Sequence, residues 1–438
     1  MEGDPTGLAL TGDALSEVLR CLPPRSLAAS RCVCKAWRAI VDALRLLLPE
    51  LLPQSVRGIF AMCHELDYPD FLAHPSMDPD IFGKLDFHPN PERRSNASVL
   101  SHCNGLLLYK DMRGLHVANP ATQRRALLPP LPPRFQRFLR CAAHLVFDPA
   151  ESLHFEVFLV PEALLIEEID MEERQQERDE EWPALTCVLC VFSSHTSQWE
   201  ERSFVREGEA AGMVSDEVMR RGDPLWSSCS AYWHGVLFVQ CLGGFTVMRI
   251  NLSYNKSKEG LCCASFHDWY KLRVWVLEDS FGMTKWRLKH HIDILRIVKC
   301  VARHCEENEG PWNLQDANSC EHYGQQNLLD IDSAEDDSNN ALVKSKVEWD
   351  SDNDNIVDNQ SEVGQCLQGH YTVLGFHPYK DIIFLNLSLD RAVAYHLSTS
   401  IVQDLGKICP DDYCSHVASI TSSFPYTPCF MPEFPTTN

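Results

Sequence analysis

Short apolar runs that return with the same punctuation constrain this chain more than any other feature. Asn104-Gly105-Leu-Leu-Leu is followed by Gly114-Leu-His-Val, and His234-Gly235-Val-Leu-Phe by Gly244-Phe-Thr-Val, with the glycines nine positions apart each time. That spacing suits two strands of a hairpin and their loop. Phe147-Asp-Pro149 with Phe155 is echoed by Phe376-His-Pro378 with Phe384, and Thr196-Ser-Gln-Trp199 by Thr284-Lys-Trp286. Glycine allows the sharp turn, proline fixes its φ, and the aromatic ring fills the wedge between packed sheets. Self-similarity of this kind marks a repeat architecture.

Between the repeats, β-rich runs predict strands at Leu106–Tyr109, Leu145–Phe147, Phe155–Val160, Leu185–Phe192, Val236–Val239, Phe245–Ile250, Leu272–Leu277, Tyr371–Phe376, Ile382–Leu387 and Ala392–His396. No run of a dozen residues in this region reads as a helix. Small sheets stacked around an axis, each with its own aromatic wedge, make a β-propeller of about six blades over residues 61–425; a β-sandwich is the structural alternative.

The chain has 438 residues and a net charge of −22. Two segments carry almost all of that charge. Between Glu162 and Glu181 stand 10 acidic and 2 basic residues; between Arg303 and Glu362, 16 acidic and 3 basic. The segments are read as an acidic insertion over 162–183 and an acidic, disordered insertion over 303–366, interrupting one propeller. No dense Lys/Arg stripe remains for a phosphate backbone, so nucleic acid is not expected as a partner. No stretch reaches the ~18 apolar residues of a membrane span, and Met1–Leu10 lack the basic cluster of a secretory signal. The 19 cysteines are an odd number in a long chain, so they are read as reduced thiols of a cytoplasmic or nuclear protein.

Residues 1–50 have a different texture. Leu15, Val18, Leu19 and Leu22 fall at i, i+3, i+4 and i+7, one apolar stripe on a helix that Pro23-Pro24 stops. Ser26–Arg31 fits a short second helix, and Val33, Trp37, Ile40 and Val41 share a face of a third. So small a helical unit cannot enclose its own apolar supply. It needs either a partner protein or the domain that follows. Residues 51–60 are read as a linker and 426–438 as a tail.

Leu10-Thr11-Gly12-Asp13-Ala14-Leu15, Leu22-Pro23-Pro24-Arg25-Ser26-Leu27 and Arg31-Cys32-Val33-Cys34-Lys35-Ala36-Trp37-Arg38 together resemble a plant-type F-box. The opening departs from the usual Leu-Pro and acidic pair. The body, at Ser101-His-Cys-Asn-Gly-Leu-Leu and Asn119-Pro-Ala-Thr122, is similar to the F-box-associated, kelch-like region of such proteins. The resemblance implies a non-catalytic substrate receptor of a ubiquitin ligase. Its F-box would dock a Skp-type adaptor and, through it, a cullin, while the propeller holds a protein target. It further implies that Leu10, Leu15, Val18, Leu19, Leu22, Pro23, Leu27, Val33, Cys34 and Trp37 form the adaptor face and the small core behind it. A non-ligase scaffold and a propeller hydrolase are the rival readings.

There is no Gly-x-x-x-x-Gly-Lys-Ser/Thr, Gly-x-Ser-x-Gly or His-Glu-x-x-His. Cys187-Val-Leu-Cys190 has zinc-ligand spacing but sits in an apolar strand run, which favours core thiols. Asp350, Asp352, Asp354 and Asp358 resemble the start of an EF-hand loop, yet Asn355 replaces its glycine and Ser361 its closing glutamate. A solvated acidic loop is the expected state there. No catalytic residue, metal ligand or cofactor is expected.

Overall fold

The computed structural model describes residues 12–22, 30, 33–44, 55–63, 68–74, 98–133, 135, 141–149, 151–161, 181–210, 212–213, 230–233, 235–240, 247–251, 261–268, 270–280, 283–304, 310–315, 354, 356–357, 371–387, 391–408 and 420–431. Among these residues the body is a six-bladed β-propeller, each blade an antiparallel sheet of three or four strands.

Blade I joins Asn313–Gln315, Asp70–Ala73, Gly58–Cys63 and Ile420–Tyr426, in that order across the sheet. The other blades each run through strands consecutive in the chain, apart from one ribbon strand inside blade III. Blade II holds Ser98–Cys103, Leu106–Asp111, Gly114–Asn119 and Arg124–Leu127. Blade III holds Cys141–Val146, Glu156–Pro161, Thr186–Ser193 and Gln198–Val205. Blade IV is formed by Ser230–Trp233, Val236–Gln240 and Val247–Asn251, and blade V by Cys262–Asp268, Lys271–Ser280 and Met283–Asp293. Blade VI comprises Thr372–Phe376, Ile382–Leu387, Arg391–His396 and Val402–Lys407. A ribbon of Glu181–Trp182 and Gly212–Met213 stands apart.

The second strands explain why the sequence reads as continuous apolar runs there. In blades II and VI that strand is covered on both faces by neighbouring blades, and successive side chains point opposite ways. In blade II, Leu106 and Leu108 pack toward blade III while Leu107 and Tyr109 pack toward blade I. In blade VI, Ile383, Leu385 and Leu387 face blade V, and Ile382 and Phe384 face blade I. Phe158 and Val160 of blade III meet Leu237 and Val239 of blade IV. Asn104 and Gly105, at φ 45° and 81°, make the two-residue turn between the first strands of blade II; such a left-handed pair suits a tight hairpin. A Cβ at Gly105 would stand 2.6 Å from the Cys429 nitrogen.

The ring closes between the two ends of the propeller sequence. Gly58–Cys63 pairs antiparallel with Ile420–Tyr426, so Phe60 lies opposite Phe424. The inter-blade cluster there is aromatic, with Phe60 4.6 Å from Phe71 and 5.3 Å from Phe424.

Several expectations are corrected. Residues 51–60 are no mere linker, since Val56 is buried and Gly58 opens a strand. Nor is 426–438 only a tail, because Cys429 and Met431 are buried between blades II and III. The 303–366 segment is not disordered throughout. Trp312 is buried, Asn313–Gln315 forms an edge of blade I, and Val357 is buried with its N–H on the Val402 carbonyl at 2.9 Å. An unforeseen helix, Ile294–His304, packs Ile294, Ile297, Val298 and Val301 on blades V and VI. The two Thr/Trp units are not equivalent either. Trp199 lies on the fourth strand of blade III, Trp286 on the third of blade V.

Candidate adaptor-docking site

Among the described residues, helices α1 (Gly12–Arg20) and α2 (Lys35–Ala43) precede the propeller. Their amphipathic spacing puts Leu15, Leu19 and Val41 into a shared core, with Leu22, Trp37 and Ile40 packed half-buried against it. Among the described residues this cluster draws no member from the propeller. Six side chains are a small core for a helical unit, and such a unit leaves apolar surface unenclosed.

That surface is visible. Val18 is 47% exposed, Val33 64% and Leu44 36%, and Cys34 is also exposed. Four apolar positions therefore depart from the simple stripe. Val18 is on α1 at the exposed margin of the stripe that Leu15 and Leu19 bury, and Val33 precedes α2 and does not join its buried face. The reason is geometric. A stripe at i, i+3, i+4 and i+7 is wider than the contact two short helices make, so its margin stays in solvent. The approach to α2 is held by the Val33 N–H on the Ser30 carbonyl at 3.1 Å, with Ser30 itself buried and helical.

Of the ten positions singled out in the sequence, the structure groups Leu15, Leu19, Leu22 and Trp37 as core and places Val18, Val33 and Cys34 on the outside. Leu10, Pro23 and Leu27 lie outside the described residues, as does the Ser26–Arg31 helix apart from Ser30. Leu44 and Val41 were not singled out for docking, although both continue the apolar period of α2.

Groups with a catalytic look have structural surroundings. His116 Nε2 is 2.8 Å from Asp111 Oδ1, which also accepts the Arg113 and Gly114 N–H groups at 2.7 and 3.1 Å. Burial pushes the Asp111 carboxyl up, but those hydrogen bonds outweigh it and hold it below the ordinary range. The imidazole stacks on Tyr109 at 4.8 Å, and the set locks one hairpin. Cys187 and Cys190, three apart on one strand, face opposite ways: Cys190 toward blade II, Cys187 toward blade IV. A single ion cannot bridge them. Asp354, Ile356 and Val357 of the EF-hand-like stretch fasten to blade VI, where Gln403 Nε2 donates to the Asp354 carbonyl and Ile356 bridges Gln403. The rest of that stretch lies outside the described residues. No described helix is long and apolar enough to cross a membrane.

The F-box domain, as a family, matches residues 8–48, which enclose α1 and α2. Two Arabidopsis thaliana proteins named as F-box proteins are similar to parts of the chain. At5g52610 is 27% identical over 166 residues, covering 36% of this chain and 43% of its own length. At3g22700 is 30% identical over 110 residues, covering 25% of this chain and 32% of its own. The chain thus matches less than half the length of either relative. An F-box domain stands at the N-terminus, followed by a propeller.

Proposed function

We propose that this chain is the substrate-receptor subunit of a Skp–cullin–F-box ubiquitin ligase. F-box domains in general bind a Skp-type adaptor, and a propeller is a common platform for holding another protein. The observation that carries the reading is the exposed apolar set of Val18, Val33 and Leu44 over a core of six side chains, inside the residues that match the F-box. Covering the exposed part of such side chains with an adaptor would contribute on the order of 1 kcal/mol each.

In this reading the receptor does no chemistry. It raises the effective concentration of target lysines near a ubiquitin-charged enzyme supplied by the cullin, which is a multivalency effect needing neither nucleophile nor base here. The kelch-like character of the blades, the protein target and a cytoplasmic or nuclear location belong to the same proposal. No nucleic acid, membrane or cofactor enters it.

The test is affinity capture with the proteasome blocked, comparing the full chain with one lacking residues 1–50. The adaptor and a cullin should co-purify with the full chain only, while target proteins are retained by both and accumulate with the truncation. Equal recovery of the adaptor by the truncated chain would refute the assignment.

A further inference from the structure

Apolar clusters seal the seams between blades I and II, II and III, III and IV, V and VI, and VI and I. Among the described residues, none spans the seam between blades IV and V. Strand alternation fixes what the two blades present there. In blade IV, Leu237, Val239 and Ile250 pack on blade III, so Val236 and Phe238 face blade V. Arg249 stands opposite Phe238 in the register and shares that face. In blade V, Leu272, Val274 and Ile292 pack on blade VI, so Arg273 and His291, opposite one another, face blade IV. Trp275 follows Arg273 on the same face.

The seam is therefore lined by cations beside apolar side chains. Val236 and Phe238 are buried, Arg249, Arg273 and Trp275 half-buried, and His291 exposed. The Arg273 Nε is buried and has no hydrogen-bond partner among the described residues. Leaving a charged donor buried without an acceptor costs more than losing an ordinary hydrogen bond. Asp293, on the same face opposite Lys271, already accepts the Leu295 N–H at 3.1 Å.

We propose that the seam between blades IV and V is a site for a doubly charged oxyanion of the phosphate class, held by Arg273 together with Arg249 and His291. A guanidinium presents parallel N–H donors that match two oxygens of one phosphate group. Such an anion supplies the acceptor that the Arg273 Nε lacks. Two arginines and an imidazole face one seam, so a dianion balances their charge better than a single carboxylate does. Bound there, it ties blade IV to blade V, the task that apolar clusters perform at the other seams. His291 is exposed, which leaves an approach from solvent. A free phosphate ion and a phosphate monoester offer the same oxygens, and the test separates the two. The site does not involve the α1–α2 docking surface and stands without the ligase reading.

The test follows melting of the full chain against inorganic phosphate, phosphoserine and acetate at matched ionic strength, for the wild type, Arg273→Leu and His291→Gln. Phosphate or phosphoserine should raise the wild-type melting temperature in a saturable way that acetate does not. Saturation at lower phosphate than phosphoserine assigns a free ion; the reverse order assigns a monoester. In Arg273→Leu the concentration needed for the same rise should increase at least about tenfold, one decade of affinity. Should that variant fail to fold, His291→Gln, altered at an exposed position, carries the comparison and should also need more of the anion. A wild-type response to both phosphate compounds no greater than to acetate would overturn the site. So would an unchanged response in folded Arg273→Leu or, where that variant does not fold, in His291→Gln.

Discussion

Asn119 Nδ2 donates to the Cys429 carbonyl at 2.9 Å, joining two residues 310 positions apart. The Asn119 Oδ1 in turn accepts the Ala121 N–H at 3.1 Å, and that same N–H meets the Tyr426 hydroxyl at 3.1 Å. Residues beyond the last strand thus lock blade II to the strand that closes blade I. Removing residues 427–438 takes away buried Cys429 and Met431 and leaves the Asn119 amide without its acceptor. We expect a loss of about 3–5 kcal/mol, from two apolar burials and one stranded polar group. A urea midpoint lowered accordingly, with unchanged secondary structure before the transition, is the expected result. An unaltered midpoint would show that the closure does not need this segment.

Arg391 and Asp404 form a buried two-pronged pair, Nε to Oδ1 at 2.8 Å and Nη2 to Oδ2 at 2.6 Å. Breaking such a pair from one side leaves an uncompensated charge. Arg391→Met should cost about 3–5 kcal/mol, and Arg391→Met with Asp404→Leu should recover much of that. Denaturant melts of the single and double variants decide it. A double variant as unstable as the single one would contradict the account.

Acid should loosen blade III. His144 is 1% exposed, neither ring nitrogen has a partner among the described residues, and burial holds its pKa down to about 4. With the folded value below the ordinary 6.5, the unfolded chain binds the proton first. The contribution is full above pH 6.5 and is lost as pH falls toward 4. About 2.5 pH units correspond to roughly 3 kcal/mol. Stability measured at pH 7 and pH 4 should fall less in His144→Phe than in the wild type, by about that amount. Parallel pH profiles would refute it.

Much of the propeller was legible because second strands buried on both faces spell apolar runs, as Ile382–Leu387 does, found with the same bounds in the structure. Turn chemistry also showed: Asn104-Gly105 punctuates the sequence for the same reason it bends the chain. Pairing across the whole length did not. Nothing local in Gly58–Cys63 announces Ile420–Tyr426, and Asn313–Gln315 is too short to carry a period. Helix Ile294–His304 had its signal at Ile294, Ile297, Val298 and Val301. It was hidden because it follows directly on the strand Met283–Asp293. In the two helices before the propeller the stripe marked the apolar positions, but periodicity alone cannot divide a core, Leu15 and Leu19, from the exposed Val18 and Val33.

That division supplies the sharpest test. Trp37→Ala removes an aromatic packed on the small core, so it should cost about 3–5 kcal/mol shared between folding and docking. Val18→Glu and Val33→Glu change side chains that are already in solvent, 47% and 64% exposed. The decisive measurement is the dissociation constant of the full chain with a Skp-type adaptor, for wild type and these two variants, alongside melting curves. The account predicts binding weakened at least about tenfold in each variant, about 1.4 kcal/mol, with melting unchanged. Wild-type affinity in both variants would contradict it.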